Sequence, residues 1–124
     1  MCIRDRYKPN IPLTVLVNPT LEFLSEETFR NYEGCLSVPN LRGVVERRAR
    51  VRVRALDRLG NPLDFTASGI SAGTYQHEVD HLDATVFVDR VRDPHTFATW
   101  ADFERYQMKE FAEYARGVVA QYGG

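Results

Sequence analysis

Apolar and polar positions follow one rhythm in the first half of the chain and another in the second. Positions 11–17 (IPLTVLV) are a short β-branched run closed by Asn18-Pro19, the pattern of a buried strand ending in a turn. Positions 21–32 are polar and acidic without clear period, and 33–39 (EGCLSVP) read as a loop or short extended segment. Between 49 and 55 the order reverses into strict alternation: Ala49, Val51, Val53 and Ala55 are interleaved with Arg48, Arg50, Arg52 and Arg54. A period of two predicts a half-exposed strand, Arg58-Leu-Gly-Asn-Pro62 turns the chain, and 63–67 returns as its hairpin partner.

From Ser68-Gly69-Ile70 the period changes. Ile70, Thr74, His77 and His81 recur at helical spacing and share one face. Val86-Phe87-Val88 reads as a brief extended exit, and Asp93-Pro94 precedes one long last helix. Its apolar stripe is Trp100, Phe103, Tyr106, Phe111, Tyr114 and Val118, and the Gly123-Gly124 end is expected to fray. Strands first and helices after make an α+β pattern, without internal repeat, so residues 1–124 are expected to form a single domain.

Composition narrows the function classes. With 124 residues, 44% hydrophobic and 27% charged, the chain suits one modest core. Sixteen basic and seventeen acidic side chains leave a formal charge of -1, so no global field draws it onto DNA or an anionic membrane. Cys2 and Cys35 are too few for a disulfide framework, no run of eighteen apolar residues exists, and the N-terminus lacks a secretory core, which together fit a reducing, cytosolic setting. Arg47, Arg48, Arg50, Arg52, Arg54 and Arg58 could line up as a basic stripe toward ribosomal RNA, although a solvated strand face explains the alternation equally well.

The chemistry concentrates in His77-Glu78-Val79-Asp80-His81, an HExxH motif. On a helix its histidines lie about 40° apart around the axis, so both imidazoles can reach one ion. Glu78, about 100° further round than His77, is placed to hydrogen-bond a water on that ion rather than to bind it. A lone HExxH also occurs by chance on surface helices, and a hydrolytic metal centre needs a third protein ligand. The metzincin position, six residues after the second histidine, is Phe87, which excludes that class. Glu104, Glu110 or Glu113 would suit a thermolysin-like zinc peptidase, and Cys35 is the other candidate, although a lone cysteine is more often an inert buried hydrophobe.

Glu33-Gly34-Cys35-Leu36-Ser37, together with Gln76-His77-Glu78-Val79-Asp80-His81-Leu82, resembles the second and third signature motifs of peptide deformylases. The resemblance extends from about Pro12 through Arg90. It implies a deformylase fold, with small, mostly antiparallel sheets around a central HExxH helix and a C-terminal helix outside. It also implies metal binding by Cys35, His77 and His81, with ferrous iron typical and zinc, nickel or cobalt able to replace it.

The implied activity is hydrolysis of the N-formyl group from the N-terminal methionine of newly made proteins, giving formate and a free amino terminus. Glu78 moves the proton, the backbone N–H of Leu36 is an oxyanion donor, and Gly34 lies among the substrate contacts. N-formylmethionyl nascent peptides are the implied partners, with the ribosome nearby, in a bacterial or organellar-type cytoplasm. Asp80 is expected to hold an imidazole or an arginine beside the ligands, and Gln76 to pack and hydrogen-bond.

Two positions depart from the family pattern. Its first motif, Gly-x-Gly-x-Ala-Ala-x-Gln, should precede position 11, and the ten residues there lack it. The chain is therefore expected to be an N-terminally shortened copy, catalytically weak or inactive without the second oxyanion donor that this glutamine provides. Ala84 stands where the family usually has a glycine, at an expected left-handed helix cap.

Overall fold

The computed structural model describes residues 11–124. Cys2 and the segment where the first motif was sought lie outside the described residues.

The alternating stretch becomes the central strand of a three-stranded antiparallel sheet ordered β1-β4-β5, with β1 at Val17–Phe23, β4 at Arg50–Leu56 and β5 at Pro62–Ser68. Ala49, Val51 and Val53 are fully buried, and Ala67 and Ala72 complete the packing behind them. The arginines point the other way, as the alternation requires, but they do not form a uniform basic stripe. Arg52 is held by Asp64 in a two-pronged pair of 2.8 and 2.7 Å, and Arg47 is turned inward and buried.

The first strand lies later than its sequence pattern suggests, at 17–23 rather than 11–17. Asn18-Pro19 does not end it. Asn18 takes a left-handed conformation (φ 51°), and the register with β4 shifts between Val17 and Thr20. This is a bulge in an edge strand, where a proline without an N–H is tolerated.

The segment without visible period is the long hairpin of β2 (Thr28–Cys35) and β3 (Val38–Arg48), in register from Thr28 opposite Arg48 to Gly34 opposite Arg42. Its inner face carries Phe29, Asn31 and Glu33 on one strand and Val45 and Arg47 on the other, all buried. Three of these five are polar, which erased the hydrophobic alternation that would have announced the strands.

Helix α1 (Gly69–Leu82) lies against this hairpin and against the three-stranded sheet. Gly73 sets the approach to the hairpin, since a methyl group there would stand 2.9 Å from the Phe29 ring. The Gly123-Gly124 end does not fray: Gly124 is buried and its carbonyl accepts the Ile70 N–H at 2.8 Å, satisfying a first-turn donor of α1. Gly69, at φ 58°, meets the Gly124 backbone there and has no room for a side chain.

After α1 the chain turns through Ala84, whose φ of 57° is the expected left-handed cap. The segment expected to be extended is instead a helical turn, α2 (Phe87–Arg90), fixed by the fully buried Phe87 ring and by Asp89, which accepts the Val86 N–H at 3.0 Å.

The expected single last helix is broken. A 3-10 turn (Pro94–Thr96) precedes α3 (Trp100–Asp102), a π-helical turn follows (Phe103–Gln107), and α4 (Met108–Tyr122) completes it. Phe103, Phe111, Ala115 and Val118 pack onto Phe29, Ala49 and Ile70. The wider π turn rotates Tyr106 out of the expected stripe, leaving it 68% exposed. Among the described residues, no helix is long and apolar enough to cross a membrane.

Because an alanine side chain is strained at positive φ, Ala84→Gly is expected to raise unfolding stability by about 0.5–1 kcal/mol in urea titrations.

Candidate metal centre

The hairpin and α1 bring three ligand atoms to one point. Cys35 ends β2, while His77 and His81 sit one turn apart on α1. Cys35 Sγ lies 3.4 Å from His81 Nε2, which lies 3.3 Å from His77 Nε2, and the three ligand atoms are all within 4.8 Å of one another. A tetrahedral ion with ordinary metal–sulfur and metal–nitrogen bonds spaces its ligands about 3.6 Å apart for sulfur–nitrogen and about 3.3 Å for nitrogen–nitrogen. The two shorter edges match those values, and a thiolate with two imidazoles is a recognised donor set for zinc, iron, nickel or cobalt.

The candidate ligand His77 is oriented by a buried ionic network that sequence reasoning missed. Glu33, 4% exposed, accepts from His77 Nδ1 at 2.8 Å and from Arg47 through both oxygens, at 2.7 Å each. Burial alone would push the Glu33 carboxyl up, but the Arg47 guanidinium and the His77 imidazole outweigh it and hold it at about 2. An ionised carboxylate can only accept, so His77 carries its proton on Nδ1 and turns the Nε2 lone pair toward Cys35 and His81. The hydrogen bond to Glu33 also raises the His77 pKa against the opposing effect of burial.

Glu33 stands two residues before Cys35 on β2, but the register shifts between Gly34 and Cys35, so strand alternation in the sequence did not announce its role.

Asp80, on the same helix, behaves as the sequence suggested and holds arginines rather than an imidazole, with Arg47 at 2.7 Å and Arg90 at 2.6 and 2.8 Å. Gln76 also fits its expected role, accepting from the Arg48 N–H and donating to the Arg48 carbonyl across the α1–β3 contact. Burial pushes the Cys35 thiol up, yet the backbone N–H of Ser37, the His77 imidazole and the Ser37 hydroxyl together bring it below its ordinary value. That favours the thiolate a metal requires.

Glu78 is exposed, and its charge contributes to the raised His77 pKa. Leu36 occupies the two-residue tip of the hairpin with its side chain 98% exposed. Gly34 is half-buried, and a methyl group on it would stand 3.4 Å from both the Trp100 ring and the Leu41 carbonyl. Among the described residues the metal-capable group of three is Cys35, His77 and His81, and Glu104, Glu110 and Glu113 are not in it.

A family model for polypeptide deformylase matches residues 1–97. This chain belongs to the polypeptide deformylase family. Peptide deformylase 2 of Ralstonia nicotianae is 48% identical over 91 residues, covering 72% of this chain and 51% of that protein. Chloroplastic peptide deformylase 1A of Solanum lycopersicum is 47% identical over 87 residues, covering 70% of this chain and 31% of that protein. The class I type b peptide deformylase of Acinetobacter baumannii with Met-Ala-Ser bound superposes with a TM-score of 0.64 at 42% identity, over 67% of this chain and 52% of that one. A peptide deformylase from Synechococcus elongatus in complex with actinonin gives 0.65 at 30% identity, over 94% and 54%.

The chain thus spans about half the length of the bacterial deformylases it matches. The α+β deformylase fold expected from sequence is the one found, and this metal-dependent family matches a chain that holds a Cys-His-His group.

Two outcomes are expected. Cys35→Ala abolishes stoichiometric metal retention in elemental analysis, while Glu104→Ala leaves it intact. In acid, a carboxyl depressed from 4.5 to about 2 stabilises the fold above pH 4.5 and loses that contribution as pH falls toward about 2. Denaturant titrations of the metal-free chain should show this loss, and Glu33→Gln, already destabilised at neutral pH, should show less of it.

Proposed function

We propose that this chain, as a single domain, carries the hydrolytic centre of a peptide deformylase, removing the N-formyl group from the methionine that begins a new protein. The observation that carries this reading is the triangle of Cys35, His77 and His81, with Glu78 next in the chain to one of its ligands. A divalent ion bound there would lower the pKa of a water molecule and polarise the formyl carbonyl.

The chain's own groups account for the rest. Glu33 and Arg47 keep His77 in the tautomer that leaves Nε2 free. Glu78, exposed and next in the chain to His77, takes the proton from the attacking water and delivers it to the leaving amine, so that formate and a free amino terminus result. Leu36, at the exposed hairpin tip, offers its backbone N–H to the oxygen that gains negative charge, and Gly34 lines the same strand end. The Acinetobacter structure holds Met-Ala-Ser, a peptide that begins with methionine, which supports the substrate class. Ferrous iron is the proposed ion, with zinc, nickel or cobalt as substitutes.

The test is anaerobic release of formate from formyl-Met-Ala-Ser by the iron- or nickel-loaded chain. Turnover that falls about 10²–10⁴-fold in Glu78→Ala supports the reading. A chain that retains metal but releases no formate would contradict it and mark a binding module without catalysis.

A further inference from the structure

The network around the ligands does not stop at the buried arginine. Asp80 Oδ2 accepts from two guanidiniums, Arg47 Nη1 at 2.7 Å and Arg90 Nε at 2.6 Å, and Asp80 Oδ1 accepts from Arg90 Nη2 at 2.8 Å. Through Arg47, Asp80 is joined to Glu33, and through Glu33 to His77 Nδ1. A continuous chain of charged hydrogen bonds therefore runs from Arg90, whose side chain is half in solvent, to an imidazole at the proposed metal centre.

We propose that Arg90 is a positioning residue for this centre, fixing the ligand His77 indirectly by holding Asp80 so that Arg47 stays committed to Glu33. The proposal rests on the metal-binding reading of Cys35, His77 and His81.

The geometry divides the labour. Arg90 meets Asp80 side-on with two donors and sets the plane of the carboxylate, whereas Arg47 reaches it with one donor and gives its other two to Glu33. The four groups are two carboxylates and two guanidiniums, and their charges balance only when Arg90 is included. Without Arg90 the buried carboxylate of Asp80 keeps Arg47 as its remaining cation in this set, and the pull on Arg47 is then away from Glu33. A surface ion pair would do little, but here the acceptor is only 8% exposed and lies on the helix that carries both histidines.

Nothing in the HExxH spacing requires an arginine ten residues after Asp80. It arrives because the chain reverses through Ala84 and the buried Phe87 ring pins α2 beside the hairpin. Lysine cannot replace it fully, since one ammonium does not reproduce the planar fork across both oxygens.

The test uses the cobalt-loaded full chain and reads two quantities, the thiolate-to-metal absorption band and the rate at which a chelator strips the ion. Wild-type protein that loads one cobalt, alongside Cys35→Ala that loads none, establishes the centre itself. Failure of that control would refute the underlying reading, and the proposal with it.

With the control satisfied, Arg90→Ala should release cobalt about tenfold faster and shift the band, and Arg90→Lys should fall between it and wild type. If Arg90→Ala only lowers the melting temperature, with band and release rate unchanged, the residue is a structural tie and the proposal is overturned. Should Arg90→Ala not fold, Arg90→Lys decides: wild-type release and band would overturn the proposal, and faster release would support it.

Discussion

The buried pairing of Glu33 with Arg47 is the constraint on which the site depends. Neither residue is at home in a protein interior, and each is there because the other neutralises it through two short hydrogen bonds. Removing either would strand a buried charge, a loss of about 3–5 kcal/mol. An apolar replacement could hold the hairpin and helix together at least as well, but it could not orient an imidazole. The polar core is thus better understood as an orienting device than as a source of stability.

Much of the layout follows from that pair. It ties β2 to β3 from within, and through His77 and Asp80 it ties the hairpin to α1. The remaining contacts across this seam are shaped to suit: Gly73 lets the Phe29 ring close on the helix, and Gln76 bridges to the backbone of Arg48. The C-terminal helix covers the far end of the core, and the carbonyl of Gly124, two residues beyond it, caps the first turn of the helix that carries the histidines.

What could be read from sequence and what could not divide along the same physical line. The strand around Val51 and Val53 was legible because its inner face is apolar and its outer face charged. The hairpin of β2 and β3 was not, because Asn31, Glu33 and Arg47 occupy inner-face positions where apolar residues normally report a strand. The Cys-His-His group was legible as motifs of fixed spacing, whereas the charged groups beside it, Glu33, Arg47 and Arg90, are brought together from three separate elements and leave no periodic trace. Breaks in the last helix were hidden too, since a π turn alters which side chains face inward without altering residue types. The strand and the cysteine motif that compositional reading left as a loop are the same piece of backbone, and the chemistry of the site is what obscured its secondary structure.

The central claim is that Cys35, His77 and His81 together hold one metal ion. X-ray absorption of the zinc-loaded chain tests it most directly. The account predicts a shell with one sulfur at about 2.3 Å and two imidazole nitrogens at about 2.0–2.1 Å, with a further light atom completing it. A shell without sulfur, unchanged when Cys35 is replaced by serine, would contradict the account.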